Sequence, residues 1–220
     1  WSVGYSEYKQ EYIKNAFSNS LFMDDLVNGK ISENYGCKID ERVIEYPWLF
    51  SLIPDSPLKI LDAGSTFNFE YLLINDRLSN KDLYIYTLAP ESKSFTSKGV
   101  SYIYGDLRDL PFKDNLFDMI ISQSTIEHIG MNNSIYKQKS KTPKVGKEKS
   151  YEYLGAILEM VRTVKKNGTI LLTFPFGKYE NHDFFQQLDL EMLERIYDLI
   201  EPFGSFKTEF FKYKKEKNSI

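Results

Sequence analysis

The sequence predicts an α/β protein built on a doubly wound, mainly parallel sheet with flanking helices. From residue 58 onward, short and strongly apolar segments alternate with segments that have helical periodicity. Strands that are apolar on both faces are typical of a parallel sheet covered by helices on each side. The 220 residues suffice for one such domain with a modest additional segment.

The first 57 residues differ in character from the rest of the chain. They are rich in aromatic side chains, including Tyr46, Trp48 and Phe50 beside Pro47, and lack the sustained alternation of a sheet strand. We therefore predict short helices up to Pro57 that form a lid or cap on the domain of residues 58–220. The alternative is that these aromatics only cover one face of the core.

Six apolar segments are predicted as strands, and three longer segments as helices. The strands are "LKILDA", "DLYIYTL", "VSYIYGD", "FDMIISQS" and "GTILLTFPF", with "SFKTEFFKYK" as a sixth. The helices are "FEYLLINDRL", "YEYLGAILEMVRTVKKNG" and "DLEMLERIYDLIEPFG". The lysines before Asn167 and Gly168 predict a cationic last turn and a glycine stop for the second helix.

Composition excludes several classes of function. No apolar segment approaches the roughly 20 residues of a membrane span, and a net charge of −3 gives no general support for nucleic-acid binding. The single cysteine, Cys37, permits neither an internal disulfide nor a cysteine-based zinc site. We expect a cytoplasmic protein without a metal site.

In a doubly wound sheet, ligands bind at the carboxyl ends of the strands. Four segments follow predicted strands here, namely residues 62–67, 87–91, 105–107 and 122–130. We expect all four to converge on one crevice. A glycine turn such as "DAGS" is weak evidence of a ligand by itself, because a single glycine after a strand often marks only a tight bend.

The long stretch "YIYGDLRDLPFKDNLFDMIISQSTIEHIG" is more specific, and it is followed later by "VKKNGTILLTFPFG". Together they resemble the class I S-adenosylmethionine-dependent methyltransferases, in particular the small-molecule branch called type 11. The resemblance covers roughly residues 58–176. It implies a Rossmann-like fold and S-adenosylmethionine as the cofactor.

The resemblance also implies which residues surround the amino-acid end of the cofactor. They lie in the turn after the first strand and at the end of the fourth: Asp62, Ala63, Gly64, Ser65, Ser122 and Gln123. Gly64 has no Cβ, so the backbone can approach a ligand closely there.

For the nucleoside part, the resemblance implies Thr87 and Leu88 beside the ribose and adenine. It further implies that Asp106 accepts a hydrogen bond from the adenine amino group and that Leu107 donates its backbone N–H to the ring. The family usually has an acid where this sequence has Thr87. A threonine hydroxyl is a poorer acceptor for two ribose hydroxyls, so ribose binding is expected to be weaker or shared.

Two further classes of function remain open. One is a methyltransferase-like domain that binds a partner without catalysis, which the altered cofactor turn favours. The other is a nicotinamide-dependent oxidoreductase, which the single glycine disfavours because a pyrophosphate needs a close approach to the helix N-terminus. A nucleic-acid methyltransferase is disfavoured by the acidic charge and by the absence of a base-flipping motif such as "NPPY".

The candidate catalytic residues are His128 and His182. His128 follows the fourth strand and has a side chain that titrates near neutrality, although a structural role for the "EH" pair is the alternative. Glu127 is a weaker candidate. His182 with Asp183 suggests a base and its orienting partner, and a solvent-exposed pair is the alternative.

The acceptor is expected to be a small molecule, anionic or linked to a sugar. Residues 131–150 form an inserted, lysine-rich loop, which either clamps an anion or is only a solvated loop. The lead-in "EYPW" before "LDAGS" resembles polysaccharide-modifying enzymes of the family. The resemblance thus implies an O-methyltransferase of a saccharide or sugar nucleotide in surface polysaccharide biosynthesis.

Overall fold

The computed structural model describes residues 2–134 and 148–212. Its central sheet has five parallel strands in the spatial order β3-β2-β1-β4-β5. The strands are β1 (Leu58–Ala63), β2 (Lys81–Thr87), β3 (Ser101–Tyr104), β4 (Phe117–Gln123) and β5 (Val164–Thr173). The strand order reverses between β1 and β4, which is the arrangement of a doubly wound sheet. The predicted Rossmann-like fold class is therefore confirmed.

Helices cover both faces of the sheet. They are α1 (Tyr5–Phe17), α2 (Ser20–Val27), α3 (Arg42–Ser51), α4 (Glu70–Leu73), α5 (Tyr153–Thr163) and α6 (Leu190–Ile200). A small hairpin of β6 (Glu180–Asn181) and β7 (Gln186–Gln187) follows β5. Among the described helices, none has the length and apolar character needed to cross a membrane.

The N-terminal helices supply one complete side of the core. Adjacent strand residues point to opposite faces, so Ile60 packs with residues of α1 to α4 and Leu61 packs with residues of α5 and α6. The ring centroids of Phe50 in α3 and Phe67 after β1 are 5.1 Å apart. The aromatic segment thus forms a layer of the domain.

Helix α3 contains a proline, and the structure compensates for it. Pro47 has no N–H to donate to the carbonyl of Val43 one turn earlier. The hydroxyl of Tyr35 donates to this Val43 oxygen instead, at 3.0 Å. Because the carbonyl remains satisfied, the helix continues through the proline to Ser51.

Three local predictions were wrong. The predicted helix "FEYLLINDRL" is shortened to α4 and a 3₁₀ turn at Asp76–Leu78, because the Asn75 side chain caps that turn by accepting from Arg77 N–H. Helix α5 ends at Thr163, and the chain passes directly into β5, with a register irregularity opposite Phe117 to Met119. The described residues 205–212 of the predicted sixth strand form no strand. Most of the lysine-rich loop, residues 135–147, lies outside the described residues.

We predict that Phe50→Ala destabilises the domain by about 3–5 kcal/mol, because it removes a fully buried ring between the N-terminal layer and the sheet. Urea unfolding followed by circular dichroism measures this loss. The control is Phe203→Ala, since the Phe203 side chain is 63% exposed. A loss of under 1 kcal/mol for Phe50→Ala would contradict a shared core.

Candidate functional site

Backbone hydrogen bonds bring the ends of three neighbouring strands together. The N–H of Gly64 after β1 donates to Tyr86 O in β2 at 3.0 Å. The N–H of Gly105 after β3 donates to Thr87 O at 2.9 Å, and Tyr86 OH donates to Asp106 O at 3.2 Å. The turns after β1, β2 and β3 therefore lie side by side at the carboxyl edge.

Asp62 organises the turn after β1. Its buried carboxylate accepts from Thr66 N–H and Thr66 Oγ1, both at 3.1 Å, and from Phe67 N–H at 2.8 Å. Burial raises the Asp62 pKa to about 6, although these hydrogen bonds oppose that shift. Ala63, the next predicted residue, is also fully buried.

The turn after β1 requires a glycine at position 64, because the backbone conformation and a neighbouring side chain leave no room for a Cβ. Gly64 has φ +140°, and a Cβ on it would lie 2.1 Å from Thr125 Oγ1. The following residue, Ser65, also has a positive φ of 62°, and its buried Oγ has no hydrogen-bond partner among the described residues. The side chain of Thr125 after β4 is thus one of the groups that approach the glycine closely.

The residues predicted beside the nucleoside are more accessible. Thr87 is partly buried, and the Leu88 side chain is 36% exposed. The Asp106 carboxylate forms a two-point ion pair with the Arg108 guanidinium, and Arg108 also pairs with Glu152. Leu107 places its side chain in the core on the α5 side of the sheet.

At the end of β4, the two predicted residues have different environments. Ser122 Oγ donates to Ala63 O at 3.1 Å, so this hydroxyl connects β4 to β1. Gln123 Nε2 donates to Glu45 Oε2 at 3.0 Å, while the buried Gln123 Oε1 has no partner among the described residues.

Glu45 of α3 is the main residue that the sequence analysis missed. Its Oε1 accepts from Ser124 Oγ at 2.7 Å and from Thr173 Oγ1 at 2.6 Å. Its Oε2 accepts from Gln123 and also pairs with Arg42 one turn earlier. A carboxylate from the N-terminal layer therefore lies over the ends of β4 and β5. Its position within the aromatic lead-in was the only signal in the sequence.

Glu127 lies in the 3₁₀ turn Ile126–His128 that follows β4. It is 3% exposed, and its Oε2 has no hydrogen-bond partner among the described residues. Burial raises its pKa to about 8, and the negative charges of Glu45 and Glu41 act in the same direction while Arg42 opposes them.

His128 is fixed by the hairpin that follows β5. Its Nδ1 lies 2.9 Å from Phe184 O, and its ring packs 4.4 Å from the Phe184 ring. A carbonyl only accepts, so the neutral ring carries its proton on Nδ1 and leaves the Nε2 lone pair available. Burial lowers the His128 pKa, which favours this neutral form.

His182 lies in the turn of the same hairpin, and its ring stacks on Phe185 at 4.4 Å. Its acidic partner is Glu180, at 3.3 Å, while Asp183 accepts from Asn132 Nδ2 at 2.8 Å. The imidazole of His128 also contacts Phe185, with 5.9 Å between centroids. The two histidines thus share one aromatic neighbour, and His182 is the more exposed.

Comparison with known proteins identifies relatives. A family model described as "Methyltransferase domain" matches residues 61–172. No curated protein matches the sequence. Among solved structures, the [4+2]-cyclase SpnF superposes with TM-score 0.50 at 16% identity, covering 86% of this chain and 68% of that one. YcgJ from Bacillus subtilis superposes with TM-score 0.48 at 13% identity, and the superposition covers 70% of this chain and 65% of YcgJ.

The chain is shorter than some of these structures. A structure from Galdieria sulphuraria that is named as a methyltransferase superposes with TM-score 0.44 at 16% identity. That superposition covers 67% of this chain and 54% of the other, so this chain spans about half its length.

We predict that Glu45→Ala lowers the free energy of unfolding by about 3 kcal/mol, because it leaves Arg42 and three polar side chains without their acceptor. Chemical denaturation measures the loss. Glu194→Ala is the matched control, since Glu194 is exposed on α6. Equal stability of the two variants would contradict the structural role of Glu45.

We predict that Glu127→Gln changes how stability depends on pH. A raised pKa means that the stability contributed by the neutral carboxyl is present below pH 4.5 and is lost as the pH rises through about 8. The variant should match the wild type near pH 4.5 and exceed it by roughly 2–4 kcal/mol at pH 8. Urea titrations across this range test the difference, with Glu194→Gln as control. Parallel curves for wild type and Glu127→Gln would refute it.

Proposed function

The chain belongs to the class I S-adenosylmethionine-dependent methyltransferases, by its match to the methyltransferase domain family, and from this premise we propose that it methylates a hydroxyl group of a small molecule. The observation that carries the proposal is the convergence of four strand ends, β1 to β4, at one edge where buried polar atoms lack partners among the described residues. Such atoms support a polar ligand at this edge, because buried polar groups usually have a hydrogen-bond partner.

The residues at this edge fit the amino-acid end of S-adenosylmethionine. Ser65 Oγ, buried and without a partner among the described residues, can donate to a carboxylate. Gln123 Oε1 is also buried without a partner among the described residues, and as a hydrogen-bond acceptor it suits the ammonium group. We propose these two side chains, with Asp62, Ala63, Gly64 and Ser122 shaping the turn and strand end, as the residues that hold this part of the cofactor.

Thr87, Leu88, Asp106 and Leu107 are proposed for the nucleoside end. When bound, S-adenosylmethionine supplies an electrophilic methyl group on a positively charged sulfur. Asp106 already accepts from Arg108, so an adenine amino group would share or displace this guanidinium. Because Thr87 offers a hydroxyl where the family usually has a carboxylate, we expect modest affinity for the ribose.

His128 is proposed as the base that removes the acceptor proton. With Nδ1 donating to Phe184 O, Nε2 is the nitrogen that can receive a proton. Transfer from an acceptor hydroxyl breaks the O–H bond, leaves the electron pair on the oxygen and forms the imidazolium. His182, held by Glu180, is the second candidate base and lies at a more exposed position.

We further propose a saccharide or sugar nucleotide as the acceptor, in the synthesis of a surface polysaccharide and in the cytoplasm. The resemblance of the "EYPW" lead-in to polysaccharide-modifying enzymes supports this part of the proposal. In the lysine-rich insertion of residues 131–150, Lys149 is described, and it pairs with Asp189 and Glu191 at 2.6 Å. Clamping of an anion would therefore depend on the other lysines.

A non-catalytic, partner-binding relative is the second candidate. Two contacts favour it, because Thr125 packs over Gly64 and Arg108 engages the Asp106 carboxylate. The fold alone does not fix the reaction, as a cyclase shares it. An NAD-dependent oxidoreductase is the third candidate, and the single glycine of the first turn counts against it.

Calorimetric titration with S-adenosylhomocysteine, and with NAD in parallel, tests the proposal. We expect S-adenosylhomocysteine alone to bind. Thr87→Asp should tighten this binding about tenfold, because a carboxylate accepts from both ribose hydroxyls. The matched control is Thr96→Asp, on an exposed 3₁₀ turn outside the crevice.

Three outcomes would contradict the proposal. If neither ligand binds, the partner-binding alternative is favoured. Binding of NAD alone would indicate the oxidoreductase. An equal response of the Thr87→Asp and Thr96→Asp variants would show that the ribose does not lie beside Thr87.

A further inference from the structure

The turn of the β6–β7 hairpin is closed by hydrogen bonds within itself. The N–H of His182 donates to Phe185 O at 2.9 Å, and the N–H of Phe184 donates to His182 O at 2.8 Å. Asp183 has a φ of 65° in this turn, and its N–H donates to Asn181 Oδ1 at 2.8 Å. These bonds fix the backbone conformation of the turn and the direction of its carbonyl groups.

Asn132 ties this turn to the segment that follows β4. Its backbone N–H donates to Asp183 O at 2.9 Å, and its side-chain Nδ2 donates to Asp183 Oδ2 at 2.8 Å. The next residue, Asn133, donates from Nδ2 to His128 O at 3.0 Å. Two adjacent asparagines therefore hold the hairpin turn and the backbone of His128 close to each other.

The ring of His128 contacts the turn one residue beyond this link. Its Nδ1 lies 2.9 Å from Phe184 O, and a carbonyl can only accept, so Nδ1 carries the proton of the neutral ring. The ring centroids of Phe184 and Phe185 lie 4.4 and 5.9 Å from that of the imidazole. A flipped imidazole would present a carbon to Phe184 O and would lose the hydrogen bond.

We propose that Asn132 and Asp183 are positioning residues, which hold Phe184 O against His128 Nδ1 and thereby make Nε2 the nitrogen that receives a proton. A neutral imidazole has two tautomers, and only the one with a bare Nε2 can act as a base at that atom. Asp183 thus acts on His128 through Asn132, whereas the sequence analysis paired it with His182. This inference rests on the proposed function, because it explains how the proposed base is prepared.

Nitrogen-15 nuclear magnetic resonance of the full chain measures the tautomer directly. The chain has two histidines, so the spectrum contains two imidazoles, and His182→Gln assigns them. A protonated ring nitrogen and a bare one differ widely in chemical shift. Spectra are recorded near pH 8, where the His128 ring is neutral because the ordinary histidine pKa is about 6.5 and burial lowers the pKa of His128.

Three variants and one control separate the hydrogen bond from other effects. Asn132→Ala removes the donor, and Asp183→Gly removes the acceptor while tolerating the positive φ. Asp183→Asn keeps an acceptor oxygen and also tolerates this φ, so it removes the charge alone. The control is Asn28→Ala, since Asn28 is exposed and donates one side-chain hydrogen bond, to Asp24 O at the end of α2.

We expect the wild type, Asp183→Asn and Asn28→Ala to hold the proton of His128 on Nδ1. In Asn132→Ala and in Asp183→Gly, the ratio of the Nδ1-protonated to the Nε2-protonated tautomer should fall about two- to tenfold, the effect of one net hydrogen bond. The double variant should fall no further than either single variant, because both changes remove the same bond.

The proposal is overturned if the neutral wild-type ring is protonated on Nε2, or if Asn132→Ala and Asp183→Gly match Asn28→Ala. It is also overturned if Asp183→Asn behaves as Asp183→Gly does, because the charge would then be responsible.

Repeating the spectra with saturating S-adenosylhomocysteine separates this inference from the proposed function. The expected tautomers without binding of S-adenosylhomocysteine would reject the proposed function and retain the positioning role. Binding of S-adenosylhomocysteine to a chain whose His128 is protonated on Nε2 would retain the methyltransferase and reject the positioning role.

Discussion

The hydrogen bonds of the Glu45 carboxylate are the interaction on which the carboxyl edge of the sheet depends. It takes hydrogen bonds from side chains at the ends of β4 and β5 and pairs with Arg42 of its own helix. A carboxylate removed from water is costly unless all its lone pairs are used. In the observed position of α3 each oxygen of Glu45 accepts two hydrogen bonds, so this group ties the N-terminal layer to the ends of β4 and β5.

Helix α3 also contacts the turn after β1. Tyr46, next to Glu45, donates to Thr66 O at 2.7 Å, and Thr66 in turn donates to the buried Asp62. One helix is thereby coupled to the turn after β1 and to the ends of two strands. Among the described residues, the buried side-chain atoms without a partner belong to Ser65 after β1, Gln123 at the end of β4 and Glu127 in the turn that follows β4.

The apolar pattern of the sequence predicted the five strands of the sheet, but several predicted ends of helices and strands were wrong. The apolar segments that became β1, β2 and β4 were bounded well because strands buried on both faces are continuous in sequence. The end of α5 was misplaced, since lysines before a glycine suit a helix terminus as well as they suit a strand entry, where Lys165 pairs with Asp118. The aromatic residues at 206–211 predicted a strand. In the structure, Phe210 packs against Phe176 and Phe211 packs against Trp48.

The sequence by itself determined the sheet, the family and the segments that meet at its carboxyl edge, because these follow from periodicity and from a long contiguous motif. Only the tertiary structure decided which side chains share that edge. Glu45 is distant in sequence from Gln123, Ser124 and Thr173 and meets them because α3 packs across the strand ends. The partner of His182 is Glu180 rather than its neighbour Asp183, because a hairpin turn sets the direction of each side chain. Burial, which shifts the pKa values of Asp62 and Glu127, is a property of packing that neighbouring residues in the sequence do not encode.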